Sequence, residues 1–75
     1  MIEYPEYIEE SLNDLYDQKT NSPEYCLTKG NLYKNLSKDN SFTEKDAMQV
    51  TRFLNNGDVA DADIHIQRIL EEDEK

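Results

Sequence analysis

The sequence predicts a small, mainly α-helical domain of three to four helices that ends in an αα-hairpin. Three observations point there. Apolar residues recur at a 3.6-residue period near the start and in the last third of the chain; Pro, Ser and Thr stand where helices begin; and Asn55-Asn56-Gly57 separates the last two periodic stretches. With 75 residues the chain is too short to close a second hydrophobic core, so residues 1–70 read as one domain. Residues 71–75, with Glu71-Glu72-Asp73-Glu74, read as an acidic tail.

The first helix begins near Pro5, whose missing N–H costs nothing in a first helical turn. Ile8, Leu12, Leu15 and Tyr16 form its apolar stripe, and Thr20-Asn21-Ser22 ends it. From Ser22 to Asn40 two readings compete. Ser22-Pro23-Glu24 is an N-cap, first-position proline and first-turn acid, which favours one helical piece through Thr28 and a second from Asn31, with Leu32, Tyr33 and Leu36 inward. The same stretch also reads as a short hairpin turning at Lys29-Gly30-Asn31. The helical reading is preferred, because neither strand alternates cleanly. In the last third Thr43 and Asp46 form a capping box, and Phe42 can staple onto Ala47. Ala47, Val50 and Leu54 share one face, with Phe53 alongside. Gly57 suits a left-handed helix stop, and Asp58 or Asp61 caps a last helix carrying Val59, Ala62, Ile66, Ile69 and Leu70. The two stripes are expected to pack on each other and on the first helix.

Charge is the most informative property of the chain. Seventeen Asp and Glu oppose eight Lys and Arg, a formal net charge of −9, which disfavours direct binding to nucleic acid or to an anionic membrane. The sign varies along the chain: residues 1–18 hold six acids and no base, residues 19–56 six bases and four acids, and residues 57–75 seven acids and two bases. No apolar run approaches membrane length and no secretory segment is seen, so a cytoplasmic protein is expected.

Enzyme chemistry is not expected. Cys26 is the only cysteine and His65 the only histidine, so neither a disulfide nor a zinc cluster can form within the chain. Cys26 reads as a small buried apolar residue and His65 as a boundary histidine. Asp58, Asp61 and Asp63 do not fit a calcium loop, because the sixth position is Asp63 rather than glycine and the twelfth is Ile69 rather than glutamate. No metal and no cofactor is expected.

What remains is a surface. Glu6, Glu10, Asp14 and Asp17 follow one another at spacings of four, four and three, which places them on the helix face away from Ile8 and Leu15. At a rise of roughly 1.5 Å per residue the four charges span about 16 Å, one charge per roughly 5 Å, a spacing that resembles the roughly 3.4 Å phosphate step of one DNA strand. No base lies four residues from any of them within residues 1–18, so the face is not self-neutralised. Tyr4 and Tyr7 flank it and Glu9 adds to it, while Asp58, Asp61 and Asp63 form a second acidic cluster that the hairpin could fold beside the first helix. The alternative to a recognition surface is an acidic solvated face with no partner.

Thr28-Lys29-Gly30-Asn31-Leu32-Tyr33 resembles the start of the recognition helix in TetR-type repressors. The resemblance implies DNA contact from the Lys29, Lys34 and Lys38 segment, against the charge of the whole chain. The favoured expectation is a small acidic, non-enzymatic protein that docks on a basic surface of a partner and blocks a nucleic-acid-binding site, as small acidic phage-type inhibitors do. The alternative is a structural or adaptor subunit that associates through apolar helix faces, as a homodimer for example.

Overall fold

The structure, a computed structural model, describes residues 3–73 as four α-helices and, among those residues, no strand. They are α1 (Glu6–Asp17), α2 (Pro23–Lys38), α3 (Glu44–Asn55) and α4 (Val59–Asp73). The mainly α architecture and the closing αα-hairpin are as expected. Glu74 and Lys75, at the end of the expected tail, lie outside the described residues; Glu71 and Glu72 belong to the last turns of α4.

Each boundary has a local cause. Pro5 directly precedes α1, and its carbonyl accepts from the amides of Ile8 and Glu9. Helix α1 stops at Asp17, earlier than the Thr20-Asn21-Ser22 cluster. Asn21 then takes a left-handed φ of 65°, which asparagine tolerates better than most residues. The Ser22 Oγ accepts from the Tyr25 amide at 3.2 Å and starts α2. At α3 the capping box is complete: Thr43 Oγ1 accepts from the Asp46 amide at 3.2 Å, and Asp46 Oδ2 from the Thr43 amide at 3.1 Å. At its other end the Asp58 amide donates to the Phe53 carbonyl and the Gly57 amide to Leu54, a Schellman motif with Gly57 at φ 79°.

The middle of the chain is a single helix rather than two pieces or a hairpin. Tyr25, Leu32 and Leu36 set its phase and are fully buried. That phase turns Cys26 and Leu27 outward, so Cys26 is exposed and not a core residue. Tyr16 likewise leaves the stripe assigned to it: Ile8, Leu12 and Leu15 are buried, whereas Tyr16 is 54% exposed on the flank.

Tertiary ties give the helices an antiparallel order. Tyr7, early in α1, donates to Asp39 just after α2, at 2.6 Å. Tyr25, early in α2, donates to the Leu54 carbonyl late in α3, at 2.5 Å. Neighbours in sequence pack together, and α1 also meets α4, though less extensively. The backbones of α1 and α3 do not approach one another closely, but the apolar stripes of α1, α3 and α4 contribute to one shared core. The core runs from Ile8 through Leu32, Val50 and Ile66, with Phe42 and Ala47 both buried at the start of α3. Burying one such aliphatic side chain is worth roughly 1.5–3 kcal/mol. Among the described residues no helix is long and apolar enough to cross a membrane.

Candidate functional site

The acids of α1 stand in solvent. Glu6, Glu9, Glu10, Asp14 and Asp17 are all exposed, and among the described residues none of them has a hydrogen-bond or ion-pair partner through its side chain. Their distribution also runs against the helix dipole at one end. Glu6 and Glu9 complement the positive N-terminus, but Asp14 and Asp17 occupy the last turn, where no base is found. Helix α4 repeats this, with Glu71 and Glu72 in its last turn and no base in that turn.

The tyrosines divide between the two sides of α1. Tyr7 faces α2, and its hydroxyl is committed to Asp39. Burial, with that hydrogen bond, raises the Tyr7 pKa, while the bond from Tyr7, with help from the Ser41 amide, lowers Asp39 despite partial burial. Tyr4 faces α4 instead, and its hydroxyl donates to Asp63 Oδ1. Tyr16 reaches the other oxygen of the same carboxylate, at 3.5 Å. Burial first, then Asp63, raises the pKa of both phenols, so they remain protonated donors at neutral pH.

A cleft of about 390 Å³ opens where α1 meets α4, lined by Glu3, Tyr4, Glu9, Leu12, Asn13, Tyr16 and Asp63. Glu9, Leu12, Asn13 and Tyr16 follow the i, i+3, i+4, i+7 pattern of one helix face. The sequence therefore carried a signal for this wall, but the reading based on charge spacing passed over Asn13 and Tyr16.

The second acidic cluster does not form. Asp61 and Asp63 lie two residues apart on a helix, so they point about 200° apart. Asp63 turns to α1, whereas exposed Asp61 lines a different hollow with Phe53, Ile64, His65 and Arg68. Asp58 sits at the α3–α4 turn, near enough to Tyr25 to raise the pKa of its hydroxyl beyond the larger effect of burial. Among the described residues no three His, Cys, Asp or Glu side chains group to hold a metal ion.

His65 is half-buried, its ring 6.2 Å from that of Phe53. Its Nε2 lies 3.5 Å from Asp46 Oδ1, an ion-pair distance for a protonated ring, without the geometry of a hydrogen bond. The Thr28–Tyr33 segment, expected to open a helix in the repressor manner, lies inside α2, with Leu32 buried and Lys29 bonded to Asn55 Oδ1 at 2.6 Å. Compared with protein-family models, curated proteins and solved structures, the chain finds no match.

Proposed function

We propose that this is a non-enzymatic binding protein whose acidic α1 face docks on a basic surface of a partner protein and occludes its nucleic-acid-binding site. The observation that carries the reading is the row of carboxylates from Glu6 to Asp17, without partners among the described residues, which persists into the helix turn where acids are unfavourable. Like charges at this spacing repel, and at the C-terminal turn each acid costs about 0.3–1 kcal/mol. A face shaped only for solubility would interleave bases. The roughly 1.5 Å rise per helical residue spaces the charges on the scale of a nucleic-acid strand.

The apolar-adaptor alternative has less support. The exposed large apolar side chains, Tyr16, Leu27, Met48 and Ile64, fall one to a helix rather than in a stripe, a scatter ordinary for a monomer surface.

The test is capture of partners by the immobilised protein at low and at high salt, followed by elution with a short DNA duplex. The captured protein is expected to bind nucleic acid, to leave as salt rises, and to be displaced by the duplex. Capture that resists both salt and duplex would contradict the reading.

A further inference from the structure

We propose that the cleft between α1 and α4 is the receptor for one arginine side chain of the docked partner. This rests on the acidic-face reading and adds a specific contact to it. The cleft differs from the rest of the face in three ways. Its volume of about 390 Å³ lies within the usual range for a side-chain or small-ligand pocket. Two tyrosine rings line it, and one of them, Tyr16, is 54% exposed although its hydroxyl is engaged. Asp63, half-buried in its wall, is held by two phenolic hydroxyls, one on each oxygen. Glu3 and Glu9 are exposed at the cleft, and among the described residues no basic side chain lines it.

This combination selects a cation with a flat, weakly hydrated surface. Rings attract a cation over their faces, an effect worth more as water is excluded. A carboxylate oriented by two donors keeps its remaining lone pairs for an incoming N–H. A guanidinium matches both demands, since it stacks on aromatic rings while its fork of donors reaches a carboxylate. An ammonium is more strongly hydrated and offers no plane to stack.

The protein is titrated with N-acetyl-arginine amide, followed by NMR at Tyr4, Tyr16 and Asp63. The lysine and citrulline amides are run in parallel, citrulline being nearly isosteric with arginine but uncharged. Saturable shifts confined to the cleft are expected with arginine, weaker binding with lysine and none with citrulline. Asp63→Asn and Tyr16→Ala should each weaken binding by roughly five- to tenfold. Tyr16→Ala removes an exposed ring, so it remains informative should Asp63→Asn unfold the protein. The same Tyr16→Ala variant should bind the isolated partner more weakly, and unaltered partner affinity would mean that the cleft serves a free cation instead. Equal shifts with citrulline, lysine binding as tight as arginine, or shifts spread evenly over Glu6, Glu10 and Asp17 would overturn the proposal. Failure of the amide titration alone leaves the salt-sensitive capture intact. Salt-resistant capture together with a saturable cleft would instead remove the acidic-face reading.

Discussion

The Tyr7–Asp39 hydrogen bond links the fold to pH at both ends of the scale. Asp39 is lowered in the folded state, mainly by the Tyr7 hydroxyl, so it contributes stability above the ordinary carboxylate range. That stability is lost as pH falls through the lowered value. Tyr7 is raised, mainly by burial and then by Asp39, so its contribution is complete below the ordinary phenol value of about 10 and is lost as pH climbs beyond it. Tyr7→Phe should therefore flatten the melting temperature against pH on both limbs, leaving on the acid side the smaller part owed to the Ser41 amide. The check is thermal unfolding followed from pH 2 to 11 for both proteins. An unchanged acid limb in the variant would mean that Tyr7 does not set the Asp39 pKa.

At the scale of the helix, the two glycines make opposite predictions. Gly57 holds a φ of 79°, and an added Cβ would lie 3.1 Å from Thr20 Cγ2, so Gly57→Ala should destabilise by about 1–2 kcal/mol. Gly30 sits inside α2 with nothing within 4 Å of an added Cβ, so Gly30→Ala should stabilise by about 0.5–1 kcal/mol. Urea unfolding of both variants measures the pair. Helix α1 offers the electrostatic counterpart. Asp14→Lys and Asp17→Lys each place a base at the negative end of the dipole and should raise stability by about 0.3–1 kcal/mol at low salt. Stability that falls in these variants would mean that the two aspartates have favourable partners in solution. The helices most legible in the sequence were α1, α3 and α4, where start and stop residues agree with a single apolar stripe. Helix α2 was harder to read because Tyr25-Cys26-Leu27 places three apolar residues in succession, and only packing on α1 and α3 decides that Tyr25 turns inward.

Over the whole molecule the excess of nine negative charges works against compaction. Raising salt from about 0.01 M to 0.15 M shortens the screening length from about 30 Å to 8 Å, so the melting temperature should rise over this range. A fall would mean that the acids are mostly engaged in favourable pairs. The exposed acids of α1 could be read from spacing alone, because a helical period and the absence of bases suffice to place them. The cleft could not. It depends on α4 turning Asp63 toward Tyr4 and Tyr16, 59 and 47 residues away in the chain, and no local pattern encodes that meeting. The same geometry separates Asp61 from Asp63 and removes the second acidic cluster. Asp39 and Asp46 are held by structural bonds from Tyr7, Ser41 and Thr43, which leaves exposed Glu24 and Glu44 as the acids suited to a control.

The most direct measurement is the affinity of the isolated partner for two charge-matched variants. One reverses Glu10 and Asp14 to Lys on α1; the other reverses Glu24 and Glu44 to Lys on α2 and α3. Net charge changes equally in both, so only location differs. The α1 pair should weaken binding by at least about a hundredfold, and the control pair by no more than a few-fold. Equal losses in the two variants would reduce the interaction to net charge, and undiminished binding by the α1 pair would contradict an acidic docking face outright.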